Sequence, residues 1–231
     1  MTARRVLLWR HGRTAFNHGS RFQGQLDVAL DDAGIEQAQR AARLLAGQIA
    51  EFEPGPVRLL TSDLSRASMT AAALGELLNI RSEPDQRLRE IYAGSWQGLT
   101  SSEIVEQWPA EYAAWRRGDD VRLGGGETRS EAADRAAACI TETSDAMDGG
   151  TLICSSHGGT LRGAMFQLLG WSRESWNAVE ALRNAHWAQL QHMSFGWRLA
   201  AYNLGGPLEE YEPAPETGMD SESASGWRST R

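Results

Sequence analysis

Lysine is absent from this 231-residue chain, and all 23 of its basic residues are arginine. That excludes Schiff-base chemistry, pyridoxal phosphate enzymes included, and any Walker-type phosphate loop, because each needs a lysine. A phosphate held by this chain must be held by arginine forks, backbone amides or histidine. Cysteine is nearly absent too. Cys139, in an Ala-rich run, and Cys154, in an apolar run, are the two present. They are too few and too far apart for a disulfide framework or a zinc site, and predict buried free thiols in a reducing cytoplasm. Positive charge is in the minority. The formal net charge is -7, whereas nucleic-acid and anionic-membrane binders normally present a basic surface. No apolar run approaches the roughly 20 residues of a membrane helix. The apolar run Val6 to Trp9 that follows Arg4-Arg5 is too short for a signal-peptide core. These absences lead us to expect a cytoplasmic protein with no nucleic-acid or membrane partner.

What is present has an order. Val6 to Trp9, Val57 to Leu60 and Thr151 to Cys154 are short apolar runs of the kind that form buried strands. Asp31-Asp32-Ala33-Gly34 opens a helix whose apolar face is Ala38, Ala41, Ala42, Leu45 and Ile49. A second helix follows Asp63, which can cap it, and buries Ala67, Thr70, Ala71, Leu74 and Leu78. Leu88 to Ile91 reads as a short extended piece, Thr100 to Arg117 as one or two short helices, and Glu127 to Met147 as a long Ala-rich helix. Ala185 to Gln191 and Trp197 to Tyr202 read as two antiparallel strands. The chain length suits one domain. We expect a catalytic domain over residues 1–212, a cap segment at about 100–130 and a disordered Pro/Ser/Glu-rich tail over 213–231. The fold class is α/β: a three-layer α/β/α sandwich with a mainly parallel sheet and an antiparallel strand.

Each of the three buried strands ends in a polar turn that leads to a helix, which is where open α/β sheets keep their reactive groups. Two of those turns carry histidine before glycine, His11-Gly12 and His157-Gly158, and the third carries Asp63 and Arg66. If the strands are neighbours, Arg10, His11, Arg66 and His157 converge at one edge and make a pocket for a tetrahedral dianion. Taken alone, His11 is open to four roles: nucleophile, acid or base, ligand, or core residue. His18, beside the cradle, is read as a loop residue that could touch substrate, and His186 and His192 as structural residues on strands. Gly124-Gly125-Gly126 does not follow a strand, so it is read as a cap hinge rather than a phosphate loop.

Arg10-His11-Gly12, Asn17, Gln23-Gly24, Ser62 to Ala67, Arg89-Glu90, Gly94 to Gly98 and Ser156-His157-Gly158-Gly159 occur in an order that resembles the histidine phosphatase superfamily, with its phosphoglycerate mutase-like fold. The resemblance runs from about Arg5 to Tyr202. It implies that His11 attacks phosphorus and becomes a phosphohistidine. It implies that Arg10, Arg66 and His157 hold the phosphoryl oxygens, and that Glu90 is the general acid and then the base. Asn17, Gln23, Gly24, Thr14, Gly158 and Tyr92 would bind substrate. The implied substrate is a small phosphorylated metabolite, with no metal and no cofactor, and the family allows a homodimer.

In mutases of this superfamily the triplet is followed by Glu-Ser, and a long insertion follows the catalytic Glu. Here Arg13-Thr14 follows, and only about 30 residues separate Thr100 from Arg129. Both departures favour a phosphatase. Gln23 to Asp27, Trp96 to Thr100, Asn184-Ala185-x-Trp187 and Trp197-Arg198-Leu199 are similar to the actinobacterial glucosyl-3-phosphoglycerate phosphatase group, as is the lysine-free composition. A broad-specificity phosphatase is the alternative. A non-catalytic phospho-ligand module or a scaffold using the Trp-rich cap is the reading from another class. In the cap, Arg116, Arg117 and Arg122 could meet a carboxylate, and Trp108 or Trp115 could stack on a sugar.

Overall fold

In the computed structural model, residues 2–206 are described, with residue 53 excepted. The expected tail therefore lies outside the described residues. The chain begins with β1 (Arg5–Arg10), a short helix α1 (Ala15–His18) and α2 (Asp32–Ala50). Next come β2 (Val57–Thr61), α3 (Ser65–Leu78) and β3 (Ser82–Pro84). The helices α4 (Ser101–Gln107), α5 (Pro109–Arg117) and α6 (Arg129–Asp145) follow. The chain continues through β4 (Thr151–Ser156), α7 (Gly158–Leu169), β5 (Trp187–Met193) and β6 (Gly196–Leu204).

The strands form one six-stranded sheet in the order β3-β2-β4-β1-β5-β6. β3, β2, β4 and β1 run parallel, and β5 is antiparallel to both of its neighbours. Side chains alternate across the pleat, so each central strand feeds two cores. Val6 and Leu8 of β1 join Leu152 and Cys154 under α6 and α7, where Ala136, Ile140, Leu161 and Phe166 close the layer. Leu7 and Trp9 face the other way with Leu59 and Ile153, against Ala41, Ala42 and Leu45 of α2 and Leu74 of α3. Each fully buried Leu or Phe contributes about 1.5–3 kcal/mol, and the two faces together make the expected three-layer sandwich.

A third apolar cluster lies apart from the sheet. Trp96, Trp115 and Phe22 pack edge to face and Tyr112 at a tilt against the two tryptophans, with ring centroids 5.4 to 6.1 Å apart. It fastens α4 and α5 over the carboxyl edge of the strands. Thr100 caps α4 and Thr128 caps α6 in reciprocal boxes with Glu103 and Glu131.

Three expectations are corrected. Asp63 does not cap α3. Both of its carboxylate oxygens are taken by the Arg89 fork at 2.6 and 2.7 Å, and the Ser65 amide donates to Asp27 instead. A bidentate arginine pair outcompetes a single amide for a carboxylate. Leu88 to Ile91 is not extended pairing backbone: Gln86–Leu88 forms a 3₁₀ turn, and the edge strand is the polar Ser82–Pro84. The triple glycine is not a hinge. A Cβ on Gly126 would lie 2.0 Å from the Tyr92 carbonyl oxygen, and one on Gly94 2.0 Å from the Gly124 oxygen. The two segments lie backbone on backbone, and only glycine permits that approach.

Candidate active site

The parallel register places Arg10 beside Ser156 and Thr61 beside Ser155, so the polar turns after β1, β2 and β4 meet at one edge. His11 follows β1 directly. Its amide donates to the Ser156 carbonyl, and its own carbonyl accepts from Ala185 and from the Asn184 side chain. The turn is tight because a Cβ on Gly12 would strike the Gly34 oxygen at 2.3 Å. His11 Nδ1 lies 2.6 Å from the Gly12 carbonyl oxygen. A carbonyl only accepts, so Nδ1 carries the proton and Nε2 keeps its lone pair. Nε2 has no partner among the described residues, and His11 lines a cleft. Burial, then the nearby Arg66 and Arg10 guanidiniums, holds the ring well below the ordinary histidine pKa, so it is neutral at pH 7.

His157 packs edge-on against His11 with ring centroids 5.2 Å apart. Its Nδ1 accepts from Arg66 Nε at 3.2 Å, which leaves Nε2 to donate to Ser62 Oγ at 2.9 Å. Burial and the Arg66 charge push this ring well below its ordinary value too. Arg66, on the first turn of α3, is fully buried, and it also donates to the carbonyls of Leu26 and Gly24 at 2.8 Å. It thereby ties the Gln23–Leu26 loop to the histidine pair. Burial lowers it to about 10, still cationic at neutral pH. Arg10 donates Nη1 to the Leu182 carbonyl at 2.6 Å, while its buried Nε has no partner among the described residues. Gly158 lies under that guanidinium, where a Cβ would come within 3.3 Å of Nε.

Glu90 reaches the same cleft from the segment after the 3₁₀ turn. Its Oε1 accepts from the amides of Ile91 and Thr160 and from the Thr160 hydroxyl, and its Oε2 accepts from the Gly159 amide. The Gly159 and Thr160 amides at the start of α7 are thus occupied by Glu90. Arg135 clamps the backbone of this segment through the carbonyls of Arg87, Arg89 and Glu90, and is itself paired with Glu127 at 2.9 Å. Sequence reasoning missed Arg135, since nothing in its helical spacing points to Glu90.

Asn17 lines the cleft with its Oδ1 accepting from the Thr14 amide and hydroxyl and from Asn184, so that its NH₂ group is left to donate into the cleft. Gln23, Gly24 and Gly158 line it as well. Thr14 and Tyr92 do not. Thr14 is buried as the cap of α1 and orients Asn17. Tyr92 is 45% exposed, and its backbone pairs with Glu127. In the cap, Arg117 pairs with Asp119 and Arg122 with Glu131. Trp115 is buried in the aromatic cluster and presents to the cleft, while Trp108 packs against the cluster. Arg129 and Arg162 also line the cleft, and neither was singled out in the sequence. Arg162 lies four residues after Gly158 on one helix face, a spacing that could have pointed to it. Among the described residues no group of three or more His, Cys, Asp or Glu side chains could hold a metal ion.

A neutral imidazole with an unpartnered lone pair, near two guanidiniums and in one cleft with a carboxyl group, can attack a phosphoryl centre and exchange a proton with what leaves. Comparison with known proteins agrees. The sequence model of the histidine phosphatase superfamily (branch 1) matches residues 6–205. The glucosyl-3-phosphoglycerate phosphatase of Mycolicibacterium vanbaalenii is 39% identical over 199 residues, covering 82% of this chain and 85% of that protein. The protein of the same name from Mycobacterium tuberculosis is 36% identical and covers 88% and 96%. The solved structure of a mycobacterial glucosyl-3-phosphoglycerate phosphatase in complex with VO3 superposes with a TM-score of 0.81 at 36% identity. That match covers 88% of this chain and all of the other.

Proposed function

The chain belongs to branch 1 of the histidine phosphatase superfamily, and on that premise we propose that it hydrolyses glucosyl-3-phosphoglycerate, or a closely related small phosphorylated metabolite, through a phosphohistidine at His11. The observation that carries the reading is the fixed tautomer of His11: Nδ1–H on the Gly12 carbonyl, with Nε2 open to the cleft. Nε2 attacks phosphorus as the ester P–O bond breaks, and the leaving alkoxide takes a proton from Glu90. Water then attacks the phosphohistidine and gives its proton to the Glu90 carboxylate. Phosphate leaves and the neutral imidazole is restored. Arg10 and Arg66 supply donors to the phosphoryl oxygens, worth most in a site that excludes water. His157 Nε2–H, which now donates to Ser62, is the donor it has to offer to the same oxygens. Asn17 and Gln23 extend the cradle.

Hydrolysis is favoured over phosphoryl shuttling because the cap between Glu90 and α6 is short and Arg13, after the triplet, is committed to Asp31 at 2.9 Å. A cytoplasmic setting is supported by the two free buried thiols, and no described helix is long and apolar enough to cross a membrane. The substrate assignment is tested by comparing kcat/KM for glucosyl-3-phosphoglycerate and 3-phosphoglycerate. A preference of tenfold or more, about 1.4 kcal/mol in transition-state binding, is expected. A smaller one leaves a broad-specificity phosphatase.

A further inference from the structure

The cleft holds more positive charge than a phosphoryl group needs. Arg129, the first residue of α6, is only 6% exposed, and its Nη1 is buried without a hydrogen-bond partner among the described residues. Its guanidinium lies over the Trp115 ring, 4.9 Å from the centroid. It lines the same cleft as Arg162 of α7, close enough for the two charges to repel. The carboxylates that could neutralise it are engaged elsewhere. Asp120 attracts it but gives Oδ1 to the Ser130 amide at 3.0 Å and faces Arg173 with Oδ2. Glu90 is occupied by the amides at the start of α7. A buried guanidinium with an unfilled donor beside a second cation is costly to maintain unless an anion completes it.

We infer that Arg129 and Arg162 form a second anion position in the cleft, which takes the carboxylate of a phosphorylated carboxylic acid while Arg10, Arg66 and His11 engage its phosphoryl group. This rests on the phosphatase reading above. Of the cap arginines that the sequence suggested, Arg117 and Arg122 are paired on the surface. The planar fork of arginine matches a carboxylate, and the Trp115 face beneath Arg129 favours its charged head at that place. The position makes the enzyme selective for acids over neutral phosphomonoesters of the same size.

The test is steady-state hydrolysis of 3-phosphoglycerate, its carboxyl methyl ester and glycerol 3-phosphate by the full chain and by Arg129→Gln and Arg162→Gln. In the unmodified protein kcat/KM for the acid should exceed that for the ester by about ten- to a hundredfold, the range of a hydrogen bond to a charged group. Each substitution should bring that ratio down toward one. Because the ratio compares two substrates on the same molecules, loss of folded protein does not alter it. The unmodified chain and Arg162→Gln decide the matter if Arg129→Gln cannot be purified. Hydrolysis of acid and ester at equal kcat/KM, or a ratio unmoved by both substitutions, overturns the second anion position and leaves the phosphatase reading intact. Failure to hydrolyse any of the three, and glucosyl-3-phosphoglycerate and p-nitrophenyl phosphate as well, overturns both.

Discussion

Two histidines held neutral against two guanidiniums make the site dependent on pH in a direction that can be worked out. Burial first, and then Arg66, keeps His11 and His157 well below the ordinary value of about 6.5. Below that value the unfolded chain takes up protons that the folded chain refuses. Stability is therefore complete above about pH 6.5 and is lost as the pH falls toward the folded values, by up to ~1.4 kcal/mol per pH unit for each histidine. Melting temperature, followed between pH 7.5 and 5.5, should decline on acidification, and His11→Gln should flatten the decline. A flat profile in the unmodified protein would contradict the assigned burial. Glu90 offers a second test, in kinetics. Glu90→Gln should lower turnover of an alkyl phosphate about 10²- to 10⁴-fold. With p-nitrophenyl phosphate, whose leaving group needs no proton, the variant should release one equivalent of nitrophenol quickly and then stall, because water is no longer activated. A variant that turns over both esters normally removes Glu90 from the chemistry.

Among the elements, the closest contact lies where Tyr92 to Trp96 crosses the triple glycine. Gly126→Ala would drive a methyl group into the Tyr92 carbonyl. We expect a loss of about 1–3 kcal/mol, typical of overpacking, measured as a shift in the urea midpoint. Gly125→Ala, which meets nothing within 4 Å but sits at φ +77°, should cost less. Equal midpoints for the unmodified protein and Gly126→Ala would mean that the two segments can separate freely, as a hinge would. The glycines were legible in the sequence, but their role was not: whether a glycine marks freedom or contact depends on a segment some thirty residues away. The same limit explains the other corrections. β1, β2 and β4 follow from apolar runs, and α2 and α3 from apolar periodicity, that are local in the chain. β3 has three residues and pairs on one side only, so it carries no period to read. Asp63 was a sound cap by sequence until Arg89 arrived from another segment.

For the molecule as a whole, the proposed phosphoryl site was readable because most of its parts follow a strand end, and parallel neighbours bring strand ends together. Arg10, His11, Arg66 and His157 follow from that rule, and Glu90 follows from the family resemblance. Arg129 and Arg162 do not. They stand on α6 and α7, and what joins them is the close approach of those helices, where a Cβ on Gly163 would lie 2.7 Å from that of Ala133. Nothing in the spacing from Arg129 to Arg162 announces this. The central claim, that this fold brings a neutral histidine to phosphorus, is tested most directly by trapping the intermediate. Protein quenched within the first turnover on p-nitrophenyl phosphate and digested should yield one phosphorylated peptide, modified at His11, labile to acid and stable to alkali. The modification should be lost in His11→Ala together with hydrolysis. Hydrolysis that persists in His11→Ala, or phosphate found on any other residue, would contradict the account.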